Sequence, residues 1–249
     1  MRYFIHLAYK GTAYHGWQIQ PNAHSLQACV QDALSKILST QITVIGAGRT
    51  DAGVHAACFY AHFETEVPFV CRDLCYALNR ITPKDIAFFS IFPVKYDMHA
   101  RFSALSRTYT YTITRIKNPF LSDTALLYRQ SLDIDAMNRA AACLYTHTDF
   151  TSFSKLHTDT KTNNCTIQHA AWVESDSLLV FTIQANRFLR NMVRAIVGTL
   201  LEVGKGNISV DDFSTIIENK SRCDAGASIA AHGLSLVAIT YPYGFDSQK

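Results

Sequence analysis

A chain of 249 residues, 48% hydrophobic and 17% charged, has enough apolar side chain to bury a core in one large domain or two small ones, which excludes disorder as the starting assumption. Its formal net charge of +3 permits an anionic partner but is too weak a bias to demand nucleic acid. The seven cysteines are odd in number, contain no C-x-x-C pair and sit in apolar stretches, so they read as buried thiols of a reducing compartment rather than a disulfide framework.

Arg2 to Tyr9 alternate like a strand, with no charged leader or apolar core of a signal sequence before them, and no later apolar run is long enough to cross a bilayer. A cytoplasmic protein without membrane association is expected. Behind Ser25, a suitable N-cap, Leu26, Cys29, Val30, Ala33, Leu34, Ile37 and Leu38 recur at helical spacing. Strand-like runs follow at about 42 to 47 and 54 to 64, then a short helix near 72 to 79 and a strand near 85 to 94. A strand at about 107 to 116 restarts the pattern, followed by a helix near 134 to 145 and strands near 168 to 174 and 178 to 185. A long helix near 187 to 203, a second near 210 to 219 opening on the box-like pair Ser209 and Asp212, and a strand near 235 to 241 complete the chain. The order βαββαβ thus occurs twice, without a matching sequence repeat. It implies an α+β protein of two tandem ferredoxin- or RRM-like units, antiparallel sheets side by side with a cleft between them. The expected domains are 1–100 and 101–249. A sheet covered on one side only would leave its other face to display aromatics to unpaired bases.

Chemistry concentrates in Gly46-Ala47-Gly48-Arg49-Thr50-Asp51-Ala52-Gly53-Val54-His55, where three glycines crowd a turn between two strands. A cation, Arg49, and an anion, Asp51, are presented together on that turn. A structural turn with a surface ion pair would use the same residues. A phosphate-cradling loop is disfavoured, because neither G-x-x-x-x-G-K-[ST] nor G-x-G-x-x-G is present.

Gly48 to His55 resemble the signature of the tRNA pseudouridine synthase A family, and five further segments extend the likeness. They are Gly11 to Gln20; His62 to Thr65; His99 to Ala104 with Arg107, Tyr109 and Tyr111; Asn186 to Arg194 with Val197-Gly198; and Gly233-Leu234 with Leu236-Val237. Six motifs in order are far more specific than any one of them. Lys10 stands where the family usually has aspartate, Ser235 where tyrosine is common and Ala231 where proline is common. These departures bear on substrate preference or local stability rather than on the reaction.

The resemblance implies an isomerase that detaches uracil N1 from ribose C1′ in tRNA, turns the base and rejoins it through C5. It singles out Asp51 as the essential carboxylate, either nucleophile at C1′ or base at C2′, and both roles require it ionised. It suggests Arg194 as the guanidinium that keeps Asp51 ionised. On a helix Arg187, Arg190 and Arg194 would share one face, where a solvated basic stripe is the plain reading for Arg190. Tyr109 and Tyr111 alternate onto one sheet face, and spacing alone reads both as packing residues. The resemblance makes Tyr109 the ring that stacks on the target base, while Tyr111 keeps the packing role. Arg49 would fill the gap left by the extruded base or hold a phosphate. The family's targets, uridines 38, 39 and 40 of the anticodon stem-loop, and its homodimeric state are implied in the same way.

His55, Cys58 and His62 invite a metal hypothesis, but strand alternation puts the two histidines on opposite faces, roughly 23 Å apart if fully extended. Neither a metal nor an organic cofactor is expected. Two rival readings differ in their signatures. A non-catalytic RNA-binding protein of RRM-like fold would carry a glycine and aromatic run of RNP1 type, which is not found. A glycoside or nucleoside hydrolase usually places two carboxylates about the scissile bond, and the glycine-rich loop offers one.

Overall fold

The computed structural model describes residues 1–155, 161–242 and 244–245. In chain order its strands and helices are β1 (Arg2–Tyr9), α1 (Leu26–Leu38), β2 (Val44–Gly46), β3 (His55–Glu64), α2 (Cys71–Ile81), β4 (Ile86–Val94), β5 (Ser106–Thr114), β6 (Leu126–Leu127), α3 (Ile134–Cys143), β7 (Ile167–Ser175), β8 (Leu178–Ala185), α4 (Met192–Gly204), α5 (Val210–Glu218) and β9 (Leu234–Thr240). This is the α+β pseudouridine synthase fold. Two compact units divide it, one formed by Met1–Leu105 with Leu236–Lys249, the other by Ser106–Ser235. The last strand, grouped with the second half in the sequence-based division, thus lies from Leu236 onward in the first unit. Its place there is fixed by side chains beyond the strand, since the Tyr241 hydroxyl donates to the Ala100 carbonyl at 2.5 Å.

In the first unit the strands run β4, β1, β3, β9, with β2 beside β3. β1 pairs antiparallel with both β3 and β4, and β2 antiparallel with β3. α1 begins as its sequence dictates, the Ser25 hydroxyl accepting from the Ala28 amide at 3.3 Å. The sheet has no open face at its centre: Phe4 and Ile5, neighbours on β1 that point to opposite sides, are both fully buried. On the Phe4 side the rings of Phe92, Tyr241 and Phe245 lie 6.2, 5.5 and 6.3 Å from it, a cluster that covers the face from within.

In the second unit β8 pairs antiparallel with β5 and with β7, and β6 joins β5 in parallel. Burial alternates cleanly along β8, with Leu179, Phe181, Ile183 and Ala185 buried and the residues between them half-buried. Tyr109 pairs with Ile183 and Tyr111 with Phe181 across the ladder, so both tyrosines belong to the buried face. Tyr109 is half-buried there, whereas Tyr111 is fully buried.

Candidate active site

The loop between β2 and β3 is shaped by the segment that follows β1. Asp51 is half-buried and Arg49 exposed, while Thr50 between them is buried at 8% exposure. Thr50 is the anchor: its hydroxyl meets the Tyr9 hydroxyl at 3.0 Å, and its carbonyl accepts from the Trp17 amide at 3.3 Å. The Gly53 amide donates to Tyr14 at 3.3 Å, the Val54 amide to Asp51 at 3.1 Å and the Ala47 amide to Tyr60 at 2.8 Å. Two glycines outside the loop allow this approach. A Cβ on Gly11 would stand 2.0 Å from the Val54 carbonyl oxygen, and one on Gly16, whose φ is +85°, 2.2 Å from that of Thr50. With Thr50 pinned, the exposed Arg49 and the half-buried Asp51 stand on a backbone fixed at several points.

The two histidines of the loop's downstream strand serve the backbone. His55 Nδ1 accepts from the Gly11 amide at 3.0 Å, and His62 Nδ1 accepts from the Ala100 amide at 3.1 Å. Burial, reinforced by His99 and Arg2, pushes the His62 imidazole down to about 4 and keeps it neutral for that acceptor role. The argument that alternation separates these histidines is corrected by the register. Leu7 pairs with Phe59 but Tyr9 with Ala56, so β3 carries one extra residue at a bulge and the parity between His55 and His62 is reversed. No group of three or more His, Cys, Asp or Glu side chains among the described residues could hold a metal ion.

The other two expected site residues lie in the second unit. The Tyr109 ring meets Phe188 edge to face, centroids 5.2 Å apart and planes at 90°. Tyr111 is fully buried, and its hydroxyl donates to the Ala230 carbonyl at 2.9 Å. Burial raises its phenol, while the Arg194 guanidinium pulls the other way. Arg194 lies in the first turn of α4 and is half-buried; its Nε donates to the Ile229 carbonyl at 2.7 Å, and its own carbonyl accepts from the Ile229 amide at 3.2 Å.

The expected helical face of Arg187, Arg190 and Arg194 does not exist, because α4 begins at Met192 and only Arg194 is helical. Asn191 sits in the left-handed region at φ 67° and breaks the run. Ahead of it the chain is committed elsewhere: the Asn186 side-chain oxygen accepts from the Thr166 and Arg187 amides, both at 2.8 Å, and the Arg190 carbonyl accepts from the Lys155 amide at 3.2 Å. Sequence reasoning passed over Gly11, Gly16 and Phe188 as working residues, although all three stand inside the quoted motifs. What distinguishes them is contact across the fold, which spacing does not carry.

The comparisons with known proteins agree along the whole chain. A family model described as tRNA pseudouridine synthase matches residues 140–242, a stretch that includes Phe188 and Arg194. The chain is 53% identical over 244 residues to the tRNA pseudouridine synthase A of Parabacteroides distasonis, covering 97% of this chain and 96% of that protein. It is 56% identical over 243 residues to the protein of that name from Bacteroides fragilis, with the same coverage of 97% and 96%. The tRNA pseudouridine synthase A of Yersinia pseudotuberculosis is 39% identical over 253 residues, 100% of this chain and 95% of its own. With more than half of the residues shared over nearly the full length of the Parabacteroides and Bacteroides relatives, this chain belongs to the tRNA pseudouridine synthase A family.

Proposed function

We infer that the protein is an isomerase that converts uridine to pseudouridine in tRNA. In that reaction the N1 to C1′ bond breaks, C5 bonds to C1′, the C5 proton leaves and N1 takes one up, so neither oxidant nor energy donor is consumed. Membership of the family supports the reaction, and the geometry of the β2 to β3 loop supports Asp51 as its carboxylate. The observation that carries the assignment is the pinning of Thr50, which fixes the backbone on either side of the carboxylate. A preorganised group costs little to align as charge develops at the sugar.

In the same reading Asp51 attacks C1′ or takes the C2′ proton, and Arg194 is the cation that holds it ionised. Tyr109 stacks on the extruded uracil, and Arg49 occupies the space that the base leaves or binds a neighbouring phosphate. Uridines 38, 39 and 40 of the anticodon stem-loop are the proposed targets, and a cytoplasmic homodimer the proposed working form. No helix among the described residues is long and apolar enough to cross a membrane.

Replacing Asp51 by Asn keeps the side chain's size and removes its charge. With tRNA tritiated at uracil C5, the Asp51→Asn variant is expected to bind as tightly as wild type and release no tritium. Release at the wild-type rate would refute the assignment, and free uracil among the products would turn the reading toward a hydrolase.

A further inference from the structure

Arg107, Tyr109 and Tyr111 share one face of β5; the first two are met by residues just ahead of α4, and the third by Ala230, just ahead of β9. Arg107 Nη1 donates to the Asn186 carbonyl at 3.0 Å, the Tyr109 ring meets Phe188, and the Tyr111 hydroxyl reaches the Ala230 carbonyl. The first two partners stand two residues apart on the irregular run that replaces the expected first turn of the helix. That run is fixed independently of Tyr109: the Asn186 amide donates to Thr166 at 3.2 Å, its side chain accepts from Thr166, and Lys155 donates to Arg190. Phe188 is therefore presented from a pinned backbone, half-buried, at a set distance from a half-buried tyrosine.

A strand tyrosine commonly adopts either of two χ1 rotamers, and only one can aim its ring at a given base. An edge-to-face neighbour at 5.2 Å and 90° favours one of them, because swinging the Tyr109 ring away forfeits the aromatic contact. We propose that Phe188 is a positioning residue for the isomerisation, holding the Tyr109 ring in the orientation in which it stacks on the flipped uracil. This rests on the assignment of Tyr109 as the stacking residue. Phe188 itself touches no reacting atom in this scheme. Its effect falls on the fraction of enzyme whose tyrosine is already aligned, and so on kcat, while the many contacts that set tRNA affinity are untouched.

The test compares Phe188→Leu, Phe188→Tyr and Tyr109→Leu by tritium release from tRNA, with kcat and KM measured separately and unfolding midpoints recorded. Leucine keeps most of the apolar volume and removes the ring, which guards against simple loss of fold. Phe188→Leu is expected to lower kcat between about 2-fold and about 13-fold, the range that one aromatic pair spans, with KM unchanged. Phe188→Tyr restores the ring and is expected to return kcat to near wild type. A wild-type kcat in Phe188→Leu, or a change confined to KM, overturns the proposal while leaving Tyr109 in place. Equal losses in the leucine and tyrosine variants overturn it too, since they mark a packing role. Full activity in Tyr109→Leu would instead overturn the stacking assignment on which the proposal rests.

Discussion

A hydroxyl and a carbonyl, both of Thr50, do most to decide where Asp51 stands, and they can do so only because Gly16 leaves room. At Gly16 a methyl group would meet the Thr50 carbonyl oxygen at 2.2 Å in a backbone conformation, φ +85°, that side chains avoid. The Gly16→Ala variant should therefore lose about 2 kcal/mol or more, a fall of roughly 4 to 8 °C in the unfolding midpoint. It should also lose catalysis beyond what that instability explains, because the loop must shift with the carbonyl. Gly48 offers the control. An added Cβ there meets none of the described residues within 4 Å, so Gly48→Ala should hold its midpoint within about 2 °C. Thermal scans of the two variants, with tritium release measured at a temperature where both are folded, check the contrast. The loop's importance was legible in the sequence from the density of glycine around one carboxylate. Which glycines are obligatory was not, since Gly48 lies inside the signature with space around it, while Gly11 and Gly16 lie some 32 to 37 positions earlier and face the signature's backbone.

Among the elements, α5 and α4 show what makes a helix boundary readable. α5 starts where Ser209 and Asp212 satisfy each other: the Ser209 hydroxyl accepts from the Asp212 amide at 3.0 Å, and the Asp212 carboxylate accepts from the Ser209 amide at 2.8 Å. Both partners lie within one turn, so the signal is written locally and the sequence alone places the helix. The helix in turn buries Phe213, which stacks on Phe153 at 5.9 Å, and its Ile216 carbonyl accepts from the Ser152 hydroxyl at 2.6 Å. Ser209→Ala is accordingly expected to cost about 0.5 to 2 kcal/mol, read as a lowered denaturant midpoint at constant slope, without changing kcat. A loss outside that range would show that the cap does not govern the start of α5. The start of α4 was misread because its determinants are distant. Asn186 is held by Thr166, 20 residues away, and by Arg107, 79 away, and these contacts override a run whose apolar spacing suits a helix. The misplaced start put three arginines on one face, whereas the structure separates Arg194 from the other two and gives the non-helical run a phenylalanine to present.

For the molecule as a whole, the order βαββαβ could be read twice along the chain, but the path of the last strand could not, because nothing local says which sheet a strand will join. The first unit is built from both ends of the chain, Met1–Leu105 and Leu236–Lys249. The returning segment places β9 beside β3, sets Tyr241 and Phe245 against Phe4 and Tyr60, and accepts the Leu105 amide on the Thr240 carbonyl at 2.8 Å. Without it, Phe4, Tyr60 and Phe92 would lose the rings that keep them from water and β3 would lose a neighbour along its length. The fragment 1–105 is therefore expected to bind a hydrophobic dye and to unfold without a cooperative transition. Leu236 lies four residues back along the strand from Thr240, about 13 Å at the usual rise, so a flexible linker of about six to eight residues can join Leu105 to it. A chain that runs 1–105, linker, 236–249 should recover a single cooperative transition and lose the dye signal. If the fragment 1–105 unfolds just as cooperatively alone, the returning strand is dispensable. Asp51 and Arg49 would then sit in a domain complete without the C-terminal segment.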